Sequence, residues 1–344
     1  MAIDISDRPL PADREDSSRL LLEVDNLHVE FRTRDAVVKA VNGLTYSLSS
    51  GETLAILGES GSGKSVSAQA VMGILDSPPG FVTNGTIRYR GENMLTMPED
   101  QRRKIRGRRI AMIFQDALSS LNPVFTVGDQ IGEMFRVHRG ASRRAARAEA
   151  IELLRMVRIP GAERRVDDHP HQFSGGMRQR ILIAIGIALR PAVLIADEPT
   201  TALDVTVQAQ VLEMLDELRA ELDMGVLLIT HDLGVVAKVA DRVAVMYAGR
   251  IVETAPVEKI FAAPAHPYTE ALLDSVPRIR NTAVDIEPIP GTPPSLAALP
   301  SGCSFHPRCR HRIDRCSTDR PALRPLAPDR QAACHVSEEL LDGR

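Results

Sequence analysis

Two short stretches carry residues whose order could bind and cleave a phosphoanhydride. The first is Gly58-Glu59-Ser60-Gly61-Ser62-Gly63-Lys64-Ser65. Its glycines let the backbone curl so that successive N–H groups and a following helix N-terminus face an anion. Lys64 then reaches the β- and γ-phosphates of a nucleotide, and the Ser65 hydroxyl offers an oxygen ligand to Mg²⁺. The second stretch is Val193-Leu194-Ile195-Ala196-Asp197-Glu198. Four apolar residues make a buried strand, and its acids emerge at the C-terminal end, where open α/β sheets bind ligands. Asp197 is expected to hold Mg²⁺ and Glu198 to act as the base that orients and polarises the attacking water. An Asp-Glu pair alone often just begins a solvent loop; the glycine loop upstream favours the chemical reading.

Periodicity supplies the framework around these residues. The glycine loop ends an apolar run at 52–57, and similar runs recur at 110–114, 193–196, 226–229 and 243–247. Between the later runs lie helical patterns, such as Val211, Leu215, Leu218 and Leu222 at i, i+4, i+7 and i+11. Short buried strands alternating with helices predict an α/β domain with a largely parallel sheet. Before about residue 95 few helices intervene, so those strands should be antiparallel. From 115 to 173 the strand signal vanishes and 141–157 reads as helix, which predicts a helical insertion. The proline-rich stretch 277–330 excludes regular helix or central strand and predicts an irregular appended module. The expected organisation is a disordered leader at 1–19, a nucleotide-binding domain at 20–275 with its helical part at about 115–173, and an extension at 276–344.

Composition narrows the function. The chain has 344 residues, 44% of them hydrophobic, with a net charge of −3. That balance supports a packed core and creates no global field for nucleic acid or an anionic membrane. Only 3% of residues are aromatic and there is no tryptophan, which weakens base stacking or an interfacial belt. The longest apolar run, 181–189, is too short to span a bilayer and is read as core. The first twenty residues hold no apolar run of signal-peptide type, so a cytosolic location is expected. The basic groups Arg102, Arg103, Lys104, Arg106, Arg108 and Arg109, and Arg143, Arg144 and Arg147, read as solvated surface.

Further motifs lie in order along the chain. Phe173-Ser174-Gly175-Gly176-Met177-Arg178-Gln179-Arg180 resembles the signature motif of ATP-binding cassette (ABC) ATPases. Gln115 resembles the family's Q-loop glutamine, Thr201-Ala202-Leu203-Asp204 its D-loop and His231 its switch histidine. Phe31 stands where the family stacks an aromatic on adenine. The resemblance spans residues 31–231 and implies the P-loop NTPase cassette fold, with an antiparallel N-terminal β-subdomain. It implies Glu198, His231 and Gln115 as catalytic residues and Mg²⁺ held by Ser65, Gln115 and Asp197. ATP would be bound by Phe31, Gly58, Ser60, Gly61, Ser62, Gly63, Lys64 and Ser65. From the opposite cassette of a dimer it would be met by Ser174, Gly175, Gly176 and Asp204. The helix opened by Ser174 suits a γ-phosphate, since its first N–H groups are free.

The family's usual signature ends in glutamine; here Met177 lacks the amide. Met177, with His171-Gln172-Phe173 before it, resembles the D-type ATPase of oligopeptide and dipeptide importers. That implies a heterodimer with an F-type ATPase, two transmembrane permease subunits and an extracytoplasmic substrate-binding protein. The chain would sit peripherally on the cytoplasmic face of the cell membrane, with no nucleic-acid partner. Nickel or another small solute is an alternative cargo, and a soluble non-transport ABC ATPase an alternative function.

All four cysteines lie near the C-terminus: Cys303, Cys309, Cys316 and Cys334. Four thiols in a proline-rich module suggest a metal staple, but their spacing does not choose between iron–sulfur and zinc. His306, His311 and His335 lie nearby and keep zinc open; unligated thiols are a third reading. The tail, with Pro290-Gly291-Thr292-Pro293-Pro294, resembles the C-terminal extension of peptide-importer ATPases, which implies a four-iron four-sulfur cluster. No sequence feature couples this module to the ATP site, so a cluster there is expected to be structural.

Overall fold

In the computed structural model, residues 20–115, 117–201, 203–275 and 288–342 are described. The leader assigned to 1–19 and the start of the extension at 276 lie outside them. β1 (Leu20–Arg32) and β2 (Val37–Ser49) alternate buried with more exposed positions along much of their length and pair antiparallel. β3 (Thr53–Leu57) is buried at every position. β4 (Gly80–Tyr89) pairs antiparallel with β1, and the short β5 (Glu92–Asn93) completes a sheet of order β2-β1-β4-β5. This is the expected antiparallel subdomain.

The remaining strands are β6 (Ile110–Ile113), β7 (Val193–Asp197), β8 (Gly225–Thr230), β9 (Arg242–Tyr247), β10 (Arg250–Pro256), β11 (Arg324–Ala327) and β12 (Arg330–Ala332). With β3 they form a sheet of order β11-β12-β10-β9-β3-β8-β7-β6. The run from β9 to β6 is parallel. Those strands read as continuous apolar segments because both faces of the sheet are covered. β10 then turns back antiparallel on β9, and β12 pairs antiparallel with β10, placing Glu253 opposite Ala332. The tail is therefore not wholly irregular: its hairpin extends the core sheet. Pro325 is accommodated because β11 is the edge strand, where a missing N–H leaves no ladder bond unmade.

α1 (Lys64–Met72) begins directly at the glycine loop, and α2 (Glu99–Ile105) precedes β6. Between β6 and β7 the chain forms α3 (Ala117–Ser120), α4 (Val127–Arg139), α5 (Arg143–Met156), α6 (Ala162–Arg165) and α7 (Gly175–Ile187). Thr126 and Ser142 cap α4 and α5 by accepting from Asp129 N and Ala145 N, contacts worth about 1 kcal/mol each. Ile131, Phe135, Ala150, Leu154, Ile183 and Ile187 interdigitate in one core, and full burial of a large apolar side chain contributes about 1.5–3 kcal/mol. The run 181–189 is the largely buried C-terminal half of α7, continued to Leu189. α8 (Val205–Leu222) buries Val211, Leu215 and Leu218, three of the four positions its period marks. α9 (Leu233–Val239), α10 (Val257–Ala262), α11 (Pro267–Asp274) and α12 (Ser337–Asp342) complete the fold. Among the described residues no helix is long and apolar enough to cross a membrane.

Candidate nucleotide-binding and hydrolysis site

Strand register sets the site. Leu57, at the end of β3, lies opposite Thr230 of β8, and Asp197 of β7 lies opposite Ile229. The glycine loop, the Asp197-Glu198 pair and His231 therefore emerge together at the C-terminal ends of neighbouring parallel strands. Gln115 joins them two residues beyond β6.

The loop is shaped by close approach. A methyl group on Gly58 would fall 2.2 Å from the Met246 carbonyl oxygen, and one on Gly63 2.2 Å from that of Ala40. Gly63 has φ 100°, a left-handed conformation that glycine tolerates best. The Lys64 ammonium donates to the Gly58 and Glu59 carbonyl oxygens at 2.8 and 3.0 Å. Burial lowers its pKa, against the pull of Glu198, Asp197 and Glu59. A polyanion would compensate that desolvated charge. Ser60 and Gly61 are exposed, and the buried Ser62 hydroxyl has no protein partner.

Ser65 Oγ donates to Asp197 Oδ1 at 3.0 Å. Asp197 is buried, and desolvation raises its pKa although Ser65 and Lys64 oppose the shift. A hydroxyl and a carboxylate side by side are the hard oxygen donors that Mg²⁺ prefers. Glu198 is the hub. Gln115 Nε2 and Thr201 Oγ1 donate to Oε2 at 2.7 and 3.0 Å, and His231 Nδ1 lies 2.9 Å from Oε1. Burial pushes the Glu198 pKa up, but the His231 and Thr201 bonds and the charges of His231 and Lys64 outweigh it, leaving the carboxyl below its ordinary value. An ionised carboxylate only accepts, so Nδ1 of His231 carries the proton. The backbone of Glu198 is left-handed (φ 47°), a conformation costly for a non-glycine residue and found at functional sites.

The signature residues stand apart, with no hydrogen bond to the loop among the described residues. Ser174 caps α7 by accepting from Met177 N at 3.4 Å. A methyl on Gly176 would fall 2.3 Å from Val207 Cγ1, so this glycine lets α7 abut α8. Asp204 accepts from Val207 N at 2.9 Å and caps α8. Met177 packs against the helical core, and Arg165 reaches its sulfur at 3.6 Å while stacking on Phe173 at 4.2 Å. Phe31 lies near the end of β1, against the core of the antiparallel sheet. Around α2, Glu99 pairs with Arg102 and Arg106 at 2.7 and 2.8 Å, in keeping with a solvated face.

Cys303, Cys309, Cys316 and Cys334 line one small pocket with His306, His311 and His335. They are free thiols, and no group of three or more His, Cys, Asp or Glu among the described residues is arranged to hold a metal. Four thiols facing one pocket are the donor set a soft metal takes, and ligation would have to draw them closer together. Burial raises the pKa of Cys309 to about 12 and of Cys334 to about 11, so these are neutral thiols here.

Sequence reasoning missed a second set of residues at the loop. Arg308, in the cysteine module, donates from Nη1 and Nη2 to the two Glu59 carboxylate oxygens at 2.7 and 3.0 Å. Its Nη1 also lies 3.3 Å from Tyr247 Oη, and its Nε donates to the Pro290 carbonyl at 2.9 Å. Glu59 N donates to Tyr268 Oη at 2.9 Å. Tyr247, Tyr268 and Phe305 pack ring on ring at 4.5–5.3 Å. The module is thus tied to the phosphate loop, contrary to expectation. The ion pair joins residues 249 apart in sequence, which no local pattern reveals.

A lysine-bearing glycine loop, a carboxylate hub at the ends of parallel strands and a separate helix opened by Ser-Gly-Gly together define an ATP-binding cassette. The family model described as ABC transporter matches residues 41–201, and that of the oligopeptide/dipeptide transporter C-terminal region matches 252–316. The ATP-binding cassette MJ0796, solved as a dimer in a post-hydrolysis state with ADP and Pi, superposes with a TM-score of 0.62. It is 26% identical and covers 69% of this chain and 99% of its own. The dipeptide transport ATP-binding protein DppD of Bacillus subtilis is 48% identical over 93% of this chain and 95% of that protein. DppD of Escherichia coli is 48% identical over 92% and 96%. This chain belongs to the ATP-binding proteins of the ABC transporter family, in the branch that carries the oligopeptide/dipeptide C-terminal region.

Proposed function

We propose that this chain binds and hydrolyses ATP to energise the import of di- and oligopeptides. It does so as one of two cassettes seated peripherally on the cytoplasmic side of two permease subunits, which take cargo from a separate binding protein. The observation that carries the reading is the Glu198 hub: one ionised carboxylate held by Gln115, Thr201 and His231 beside Lys64 and the Ser65–Asp197 pair.

In this reading Glu198 accepts the proton of the attacking water, and Gln115 and His231 keep its carboxylate aimed and ionised. Lys64 leaves the loop carbonyls for the β- and γ-phosphates, and Phe31 stacks on adenine. Ser65, Asp197 and Gln115 would hold Mg²⁺, which would supply charge neutralisation at the phosphates. Ser174, Gly175 and Gly176, with Asp204, meet ATP bound by the opposite cassette, the related F-type ATPase. Two features favour such partners: Val205, at the start of α8, is 83% exposed, and Phe114, next to Gln115 in sequence, with Val124 and Phe125 between β6 and β7, are exposed apolar side chains available to the permeases.

The test is the complex reconstituted in vesicles with its binding protein. ATP turnover that rises with peptide-loaded binding protein, together with peptide uptake, is expected. Full-speed hydrolysis by the isolated monomer would reject the two-cassette arrangement, and uptake of nickel but not peptide would reassign the cargo. For the tail, we propose that the four cysteines ligate a four-iron four-sulfur cluster; their convergence on one pocket supports this. Iron and acid-labile sulfide should be found in anaerobically purified protein, and a colourless protein with stoichiometric zinc would reject it.

A further inference from the structure

We propose that Arg308 is a positioning residue for the ATPase reaction, through which the C-terminal module sets the nucleotide affinity of the phosphate loop. This rests on the ATPase reading above and goes beyond it. Glu59 follows the first glycine of the loop, and its carboxylate belongs to the segment that must wrap a triphosphate. Left alone, that charge would repel the nucleotide. Arg308 covers both its oxygens in a two-pronged pair and is itself only 5% exposed. Such a forked contact fixes orientation as well as charge.

The loop's other anchor comes from the same direction. The Glu59 amide is held by Tyr268, and Tyr268 and Tyr247 pack on Phe305, three residues before Arg308. The module is in turn fixed to the cassette by Arg330, which donates to the fully buried Glu253 at 2.9 Å, and by the β10–β12 pairing. A rigid path therefore runs from the core sheet, through the cysteine-bearing module, to the second residue of the phosphate loop. Loosening the module frees the Glu59 carboxylate and weakens ATP binding, without touching Glu198.

The experiment measures ATP turnover against ATP concentration in the assembled transporter for the wild type, R308Q, R308K and the double variant E59Q/R308Q. R308Q should raise KM for ATP about fivefold with kcat little changed, as expected for coupled contacting charges. E59Q/R308Q should bring KM back toward the wild type, because it removes the stranded carboxylate. A merely structural role for Arg308 gives no such recovery. R308K, which keeps the charge but not the fork, should lie between and serves if R308Q does not assemble. An unchanged KM in R308Q or R308K, or a double variant as impaired as R308Q, would overturn the proposal. A wild-type complex without turnover would instead reject the ATPase reading itself.

Discussion

The phosphate loop has two flanks built on opposite principles. On one side stand Asp197, bonded to Ser65, and Glu198, bonded to Gln115 and His231, with the His231 side chain 58% exposed and Glu198 only 14%. On the other stand Glu59, Arg308, Tyr247, Tyr268 and Phe305, an ion pair set into packed aromatic rings. The first flank can exchange its partners for a nucleotide, a water and a metal ion. The second cannot exchange without unpacking buried rings, and so acts as the fixed wall against which the loop closes. The reacting groups are held by hydrogen bonds that a nucleotide, water or metal ion can replace; the geometry they need is stored across the loop.

The largest effect that could break this contrast is at Glu198. Glu198→Gln keeps the shape and the bond to Thr201 but removes the ionised acceptor. Turnover should fall about 10²- to 10⁴-fold, the range a positioned base contributes, while ATP binding survives and the closed cassette pair accumulates. Phosphate release and binding of a fluorescent ATP analogue measure the two halves separately. Wild-type turnover would mean that the polar flank does not supply the base.

How far each flank is legible in the sequence follows the same division. Gly58 to Ser65 and Val193 to Glu198 are local patterns whose spacing already dictates strand, turn and charge, and the structure brings Ser65 to Asp197 as chemistry requires. Gln115 and His231 are far apart in sequence and become legible only through the family resemblance. The fixed flank has no such signature. Glu59 and Arg308 are ordinary charges until the fold pairs them, and the hairpin β11–β12 is hidden because prolines in an edge strand look like the end of structure. Asp204 shows the converse: a residue marked for nucleotide contact is also the cap of α8. Met177 has a packing reason for being apolar, since it sits against the helical core with Arg165 on its sulfur.

A middle-sized effect sharpens the contrast from the fixed side. Tyr268→Phe deletes one oxygen from a fully buried ring and leaves the Glu59 N–H without its acceptor. Stability should fall by about 1 kcal/mol, the low end of the cost of a donor left unpaired, because the Glu59 N–H is only part-buried. A lower Tm and faster hydrogen exchange at the Glu59 amide would register it, with the Glu198 bonds intact. No change in either would show that the ring wall, not its hydroxyl, holds the loop.

The smallest effect at neutral pH concerns His266, which is fully enclosed behind the same wall near Phe305. Burial lowers its pKa to about 3, and its Nδ1 accepts from Tyr268 N to cap α11. Between about pH 6.5 and 3 the unfolded chain takes up a proton that the fold refuses, so stability must decline as pH falls through that window. His266→Asn keeps an acceptor for the cap and cannot titrate. At pH 7.5 the two proteins should melt within a few degrees of each other, but toward pH 4 the wild type should lose Tm more steeply. Parallel Tm curves would mean that His266 becomes charged in place, and that water reaches the flank whose dryness makes it fixed.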